Sequence, residues 1–221
     1  MAILITNSQP IAVSSAFYTQ VLPKMTIFRS PYHIQIPDQD ILTFIFSSTK
    51  FHDDDQIWID PIHPDLFVTL SMARDLTQRI GWALRNLGIG REAPGKDIVL
   101  SFIENQVLVA PTVFGVLCAE GVHATCSPAA TEFELARQIS LSKPKLLICS
   151  SQTKSVAKQA IKRSGHDIAI LEMHSDVLDL RSESTGKSVL TSHSLPWKSI
   201  TDGSTLKERV ACVIYSSGTT G

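Results

Sequence analysis

The stretch "VHATCSPAATEFELARQISLSKPKLLICS", residues 122–150, predicts a strand, a helix and a second strand in immediate succession. "VHATCSP" is typical of a short strand that runs into a proline turn. "TEFE" (131–134) is a capping box, because the Thr131 hydroxyl can accept from the Glu134 amide while the Glu134 side chain reaches back. The helix that it opens is expected to end near "SKP" (142–144), and "KLLICS" (145–150) is typical of a buried strand. A helix between two such strands indicates a crossover connection and a parallel pair.

The same alternation continues on both sides of this stretch. Ser71 is a plausible cap, and Gly88 a plausible stop, for a helix with one apolar stripe. A second helix is expected at about 106–120, where Pro111 is tolerated only near the first turn. The remaining expected elements are strands at 66–71, 97–103, 167–173 and 209–217, a helix at 153–164 and a polar surface loop at 175–208.

These elements predict an α/β fold with a mostly parallel, doubly wound sheet over residues 66–221. Strands 97–103, 145–150 and 209–215 are expected to share that sheet. Residues 1–65 are rich in Pro and Ser and are predicted to be an irregular N-terminal segment. Within it, "LTFIFSS" (42–48) and "QIWID" (56–60) fit short helices or strands, and the pattern does not choose for the first.

Composition excludes several classes of protein. The chain has 221 residues, 43% of them hydrophobic, which is enough for a substantial core. A net charge of −1 provides no basic field for nucleic acid. The longest apolar stretch, 107–119, is too short to span a bilayer. "MAILITNSQP" (1–10) lacks the features of a signal peptide, so we do not expect a secreted protein.

Neither the cysteines nor the acidic run predicts a metal site. The four cysteines show no zinc-binding spacing, and free thiols indicate a reducing compartment. Asp53, Asp54 and Asp55 are adjacent and cannot all face one ion, so a solvated loop is expected. His123 is expected to be a packed or surface histidine rather than a base or ligand. The cysteines are Cys118, Cys126, Cys149 and Cys212.

The final strand runs into "SSGTTG" (216–221), which combines small residues and hydroxyls at the end of a strand. Ligands of doubly wound folds bind at the carboxyl ends of strands. Gly218 and Gly221 can adopt positive φ and expose their amides to phosphate oxygens. The spacing matches neither GxxxxGK[ST] nor GxGxxG. From composition alone, the stretch fits a turn as well as a phosphate-binding loop.

Several stretches resemble adenylate-forming enzymes of the 4-coumarate:CoA ligase-like group, particularly fungal members. "YSSGTTG" (215–221) resembles the start of their signature loop, and "IFRSPY" (27–32) their opening. "ALRNLGIGREAPGKDIVLSFIENQ" (83–106) and "GVLCAEGVHATCSPAATEFELARQISLSKPKLLI" (115–148) resemble two further stretches in the same order. Ser127 stands where these enzymes usually have Asn, and Ala129 and Ala130 where they have an aromatic residue.

The resemblance implies an acyl-CoA ligase that uses ATP, Mg²⁺ and coenzyme A. Such enzymes convert a carboxylic acid into an acyl-adenylate and then a thioester, and the fungal members suggest secondary metabolism with a fatty or aromatic acid. Family members of this kind are often peroxisomal, with a cytoplasmic location as the alternative. The loop that grips the ATP phosphates carries over to Ser216, Ser217, Gly218, Thr219, Thr220 and Gly221.

The same resemblance implies that residues 66–221 are part of an AMP-binding domain that stops at the phosphate loop. The catalytic lysine, the metal-binding glutamate and the C-terminal lobe would then lie outside the 221 residues. The chain is accordingly expected to be an N-terminal fragment, inactive and poorly folded on its own. Two alternatives remain open at this point: a non-catalytic pseudoenzyme or interaction module, and an unrelated nucleotide-binding α/β domain.

Overall fold

A computed structural model of the protein describes residues 31–32 and 36–215, and in it residues 122–150 form the expected strand, helix and strand. These elements are β4 (Val122–Thr125), α4 (Glu132–Ser142) and β5 (Leu146–Ser150). Both hydrogen bonds of the capping box are present: Thr131 Oγ1 accepts from the Glu134 amide, and Glu134 accepts from the Thr131 amide. The prediction for this stretch is confirmed in its type and order of elements.

One six-stranded sheet contains β4 and β5, with strand order β7-β6-β5-β3-β4-β8. All neighbouring pairs run parallel except β6 and β7. The expectation that strands 97–103, 145–150 and 209–215 share one sheet is therefore confirmed. The other four strands are β3 (Ile98–Phe102), β6 (Ala169–His174), β7 (Asp179–Ser182) and β8 (Cys212–Ile214).

Helices cover both faces of this sheet, as a doubly wound fold requires. The sheet alternates between two apolar clusters: Val99 points into one, and Leu100 points into the other. The first cluster includes residues of α2 (Leu70–Asn86) and α3 (Val109–Cys118), and the second includes residues of α4 and α5 (Lys154–Ser164). The predicted α/β class is thus confirmed. Pro111 lies in the first turn of α3, which begins three residues later than expected.

Three elements precede α2, and all of them belong to the unit Pro37–Gly221. They are α1 (Ile41–Phe46), β1 (Gln56–Ile59) and β2 (Phe67–Thr69). The stretch 42–48 is therefore mostly helix, whereas β1 pairs with β2 as a separate antiparallel ribbon. The predicted domain boundary at residue 66 stays a prediction.

The helix α2 begins earlier than the sequence suggested, and Ser71 is not its cap. Thr69 has extended backbone dihedrals, and its Oγ1 accepts a hydrogen bond from the Met72 amide at 3.2 Å. The strand β2 ends at Thr69, and α2 begins at the next residue, so Ser71 already lies within the helix. Gly88 follows the end of the helix with φ of 92°, as expected of a stop.

The stretch 175–208 is not a continuous loop. After a 3₁₀ turn at Ser175–Val177, β7 pairs antiparallel with β6, and Leu180 is fully buried in the first apolar cluster. A six-residue helix, α6 (Gly203–Glu208), follows. Its cap is Asp202, whose pKa is lowered to about 2 by the hydroxyls of Ser204 and Thr205. One buried leucine and a short polar strand gave too weak a pattern for detection in the sequence.

The final strand is also different from expectation, because β8 is an exposed edge rather than a buried strand. Its residues Cys212 and Ile214 are exposed, Ile214 at 75%. Val213 alone in the strand turns toward the second cluster. An apolar sequence therefore misled the prediction of burial, although the strand and its place in the sheet were predicted correctly.

Candidate functional site at the carboxyl edge of the sheet

The predicted phosphate loop, residues 216–221, lies outside the described residues, but the strand that leads to it is well defined. β8 pairs in parallel with β4 through His123–Cys212, Ala124–Val213 and Thr125–Ile214. Parallel strands end at the same edge of a sheet, so Tyr215 lies at the carboxyl edge. This is the edge at which open α/β sheets bind ligands. Ser216 is the next residue in sequence.

Tyr215 brings a polar group to this edge. Its ring is half-buried and packs against the second apolar cluster. Its hydroxyl is buried and has no hydrogen-bond partner among the described residues. A buried hydroxyl without a partner is unfavourable by about 1–3 kcal/mol. The position beside Ser216 thus fits a site where a further polar group satisfies the tyrosine.

The turn between β4 and α4 lies next to the end of β8. Thr125 pairs with Ile214, so the turn that begins at Cys126 is the neighbour of Tyr215. Ser127 holds this turn, because its carbonyl accepts from the Ala130 amide at 2.9 Å and its hydroxyl from the Ala129 amide at 3.3 Å. The turn is open to solvent.

A second hydroxyl-rich turn, after β5, is closed on itself. Thr153 Oγ1 donates to the Phe102 carbonyl at 2.6 Å and accepts from the Ser150 amide at 3.0 Å. The Ser150 hydroxyl accepts from the Thr153 amide at 3.2 Å. Both side chains are buried. This turn ties the ends of β3 and β5 together, and the hydroxyls of Ser150 and Thr153 are engaged within it.

His123 and Cys126 are buried and are poor candidates for proton transfer or nucleophilic attack. His123 Nε2 lies 3.0 Å from Ser101 Oγ, and burial lowers the pKa of the histidine to about 4. The imidazole is therefore neutral near pH 7. Burial raises the pKa of Cys126 to about 11, so its sulfur is a thiol, which is a weak nucleophile.

The acidic run of residues 53–55 behaves as a solvated loop. Asp53 forms an ion pair of 3.2 Å with Arg74, and Asp55 accepts from the His52 amide at 2.8 Å. In residues 31–32 and 36–215, no group of three or more His, Cys, Asp or Glu side chains could hold a metal ion. Within the same residues, no helix has the length and apolarity to cross a membrane.

An open cleft of about 690 Å³ lies far from this edge, between α2 and the region around β7. β7 and β8 are at opposite ends of the strand order. The charged groups of the cleft already have partners. Arg181 Nε donates to Asp179 at 2.9 Å, and Arg79 Nε donates to the Thr191 carbonyl at 2.8 Å. The carboxyl edge at β8 is therefore a better candidate site than this open cleft.

An ion network that the sequence did not predict lies near the amino end of β8, opposite the carboxyl edge of the sheet. Glu120 accepts from Arg85 Nη2 at 3.1 Å and from Arg209 Nη2 at 2.6 Å. Arg209 directly follows α6 and leads into β8. Glu120 and Arg209 are separated by 89 positions, so no local pattern could have paired them.

Comparison with known proteins gives a consistent answer. Residues 50–221 match the profile of the family described as AMP-binding enzyme. A protein of Emericella nidulans named as an acyl-coenzyme A synthetase is 29% identical over 194 residues, which are 85% of this chain and 35% of the relative. The phenylacetyl-CoA ligase epaB of Aspergillus niger is 24% identical over 200 residues, which are 88% of this chain and 36% of the relative.

Solved structures show the same fold. The crystal structure of ATP-bound MatB from Rhodopseudomonas palustris aligns with a TM-score of 0.56 and 19% identity, over 81% of this chain and 32% of that one. The chain spans about a third of the length of the relatives that it matches. The profile match includes the stretch 216–221, which follows β8 at the carboxyl edge.

Proposed function

This chain belongs to the AMP-binding enzyme family, and on that premise we propose that it forms the ATP-phosphate site of an acyl-CoA ligase. In the proposed reaction, a carboxylate oxygen attacks the α-phosphorus of ATP, and pyrophosphate leaves with the electron pair of the broken bond. The thiolate of coenzyme A then attacks the acyl carbon of the adenylate, and AMP leaves. The product is an acyl thioester.

The observation that carries this proposal is the place of β8. The family match runs through residue 221, and β8 ends at Tyr215 on the carboxyl edge of a parallel sheet. The next residues are small, flexible or hydroxyl-bearing, as close contact with phosphate oxygens requires. The residues proposed to contact the phosphates are Ser216, Ser217, Gly218, Thr219, Thr220 and Gly221.

Two features of the described residues favour this assignment over an ordinary turn. The Tyr215 hydroxyl is buried and has no partner among the described residues, so a polar neighbour would stabilise it. The turn around Ser127 on the adjacent strand is exposed to solvent, so a ligand could reach it. By contrast, the buried hydroxyls of Ser150 and Thr153 in the turn after β5 are engaged within the fold.

Mg²⁺ would supply positive charge that neutralises the charge developing on the phosphate oxygens. Because Mg²⁺ is commonly bound through substrate phosphates, we propose that it binds together with ATP. The loop's amides and hydroxyls hold the phosphates in line for attack. The hydrogen atoms of these amides and hydroxyls carry partial positive charge, and the donors would need little reorganisation during the reaction.

We assign the substrate to the fatty or aromatic carboxylic acids, and the pathway to fungal secondary metabolism. Support comes from the relatives: one is named as an acyl-coenzyme A synthetase, one as a phenylacetyl-CoA ligase, and both are fungal. A peroxisomal location follows from the resemblance and remains part of the proposal. Fluorescence microscopy of a tagged protein from the complete reading frame distinguishes peroxisomes from cytoplasm.

ATP–pyrophosphate exchange tests the function directly. The protein expressed from its complete reading frame is assayed with phenylacetate, cinnamate and a series of fatty acids, each with and without Mg²⁺. Exchange that depends on both the acid and Mg²⁺ is the expected result. Failure with every acid, in a protein that is folded by thermal melting, would favour the non-catalytic interaction module instead.

A further inference from the structure

The apolar pattern of β8 does not fix its register on β4. Val213 and Tyr215 face the second apolar cluster, whereas Cys212 and Ile214 face solvent. All four side chains are apolar or aromatic. A slip by one residue would exchange the two pairs with little change in polarity, and register is weakly specified in such strands.

A slip would have a large effect on whatever follows the strand. β8 is three residues long and has β4 as its strand neighbour. One residue along a strand corresponds to about 3.3 Å. Hydrogen bonds to a phosphate operate over about 2.7–3.2 Å. A shift of this size would therefore misplace the donors of residues 216–221 relative to any phosphate held at the edge.

Arg209 provides a fixed point just before β8. Its Nη2 donates to Glu120 Oε1 at 2.6 Å, and its backbone amide donates to the Thr205 carbonyl at the end of α6. The side chain is 26% exposed and that of Glu120 only 16%. An ion pair with this much burial is screened less by salt than a surface pair. The guanidinium therefore holds the first part of the strand at one position.

The partner of Arg209 is itself immobilised. Glu120 precedes β4 and has φ of 56°, a left-handed conformation that is uncommon outside glycine. Its second oxygen accepts from Arg85 Nη2 at 3.1 Å, at the end of α2. Its carbonyl accepts from the Gly95 amide at 2.7 Å. The carboxylate is thus held from both sides at the amino end of β4.

Gly95 completes the seat of the arginine. A Cβ on Gly95 would lie 3.2 Å from Arg209 Nη1 and 3.3 Å from its Cδ, so the arginine side chain lies directly across this backbone. Gly95 has φ of 73°, which also favours glycine. Contacts from several segments of the chain therefore hold the Arg209 guanidinium in one position. None of these segments belongs to the carboxyl edge.

We propose that Arg209, through Glu120, sets the register of β8 on β4 and so positions the loop that begins at Ser216 for the phosphates of ATP. The part of this inference that concerns ATP rests on the proposed function. Arg209 is a positioning residue, because the ion pair lies at the amino end of the strand and the loop at the carboxyl end.

The test compares Arg209→Gln with the matched control Arg85→Gln. Both variants remove one guanidinium from the same carboxylate, but only the first touches the segment that leads into β8. Hydrogen exchange of amides 212–214 and the cross-strand NOE between Val213 and Ala124 report the pairing. In Arg209→Gln we expect exchange at least tenfold faster and a new NOE from a shifted partner. Arg85→Gln should stay within about twofold of the original protein.

A second measurement separates positioning from general stability. In ATP–pyrophosphate exchange, Arg209→Gln should raise KM for ATP at least tenfold while KM for the carboxylic acid stays unchanged. Arg209→Lys retains the charge and should recover part of the loss. If Arg209→Gln does not fold, Glu120→Gln, which removes the carboxylate of the same pair, decides the matter: amide exchange in β8 no faster than in Arg85→Gln would overturn the proposal.

The same experiment keeps the two proposals apart. Mg²⁺–ATP added to the original protein should slow exchange in residues 216–221. Absence of that protection would contradict the proposed function, whereas the effect of Arg209→Gln on amides 212–214 would still support its control of register. Equal exchange in Arg209→Gln and Arg85→Gln would remove the register role even if ATP binds.

Discussion

β5 and β8 are both short apolar strands that run into hydroxyl-rich turns, yet the fold uses them in opposite ways. β5 lies between β3 and β6, and all five of its residues are buried. In the described part of the chain, β8 pairs only with β4, and two of its three residues face solvent. Within the described residues, the two strands therefore differ in burial although both are apolar.

The turns after these strands differ for the same reason. Ser150 and Thr153 lie in the interior and hydrogen-bond each other and the Phe102 carbonyl. Their hydroxyls serve the fold. The hydroxyls of residues 216–221 come directly after β8 in the sequence and are proposed to serve a ligand. A count of Ser and Thr after a strand therefore cannot identify a site without knowledge of what the hydroxyls contact.

The largest difference between the two strands should appear in the reactivity of Cys149 and Cys212. Cys149 lies in β5, where burial raises its pKa to about 12, while Cys212 is exposed in β8. A maleimide at pH 7.5 should modify Cys212 first, with Cys149 at least about a thousandfold slower, because its reaction requires opening of the core.

Mass spectrometry of the peptides after timed labelling measures both rates. Cys212→Ser is the control and should abolish the fast phase without changing the slow one. Fast labelling of Cys149 in the folded protein would mean that the interior of the sheet is not closed. It would thereby remove the distinction between the two strands.

Truncation of apolar side chains should give the next largest effect. Leu147 in β5 is fully buried, and Leu147→Ala should lower the free energy of unfolding by about 2–5 kcal/mol. Val213→Ala in β8 should lower it by only about 1 kcal/mol, since the side chain is half-buried. Urea unfolding measures both, with exposed Ile214→Ala as a control expected within about 0.5 kcal/mol of the original. Equal losses for Leu147 and Val213 would contradict the assignment of β8 as an exposed edge.

Strong local patterns predicted the fold well. The capping box at Thr131, the apolar stripe of α2 and the runs at 97–103 and 145–150 each have a physical signature within a few residues. Elements that depend on distant partners were missed. β7 exists because it pairs with β6 and buries Leu180, and neither fact is visible in a polar stretch.

The candidate site divides in the same way. Residues 216–221 stand out by composition and resemblance, and their contacts with ATP stay a prediction. The placement of β8 at the edge came from its pairing with β4, and the role of Arg209 from an ion pair with Glu120. Such pairs are set by tertiary structure. A single sequence does not reveal them.

Matched threonine substitutions should separate the two turns. Thr153→Val removes the bonds to the Phe102 carbonyl and the Ser150 amide, and should reduce stability by about 1–3 kcal/mol. Thr219→Val should leave stability within about 0.5 kcal/mol. It should weaken ATP binding by about 1.5–3 kcal/mol through loss of one charge-assisted hydrogen bond, or roughly 10- to 150-fold.

Urea unfolding measures the stability of both variants, and ATP–pyrophosphate exchange measures their use of ATP. Gly218→Ala supports the same comparison, because it adds a Cβ where an amide must approach a phosphate oxygen, and should also impair exchange without loss of stability. If Thr153→Val impaired ATP use while Thr219→Val did not, the ligand-binding turn would be the one after β5.

The smallest effect concerns His123 in β4, whose neighbour across the strand pair is Cys212 of β8. Burial lowers the pKa of His123 from 6.5 to about 4 in the folded protein. Between these values the unfolded chain binds a proton that the folded protein does not, so stability falls as the pH falls. This contribution vanishes about one pH unit above 6.5, and it grows by at most about 1.4 kcal/mol between pH 6.5 and 5.5. His123→Gln retains a polar group for Ser101 and should show a shallower decline over that interval in urea unfolding.

Because carboxylates titrate equally in both proteins, the difference between the two curves isolates the histidine. Parallel curves would mean that His123 is not kept neutral by burial, and that β8 leaves this part of β4 open to water.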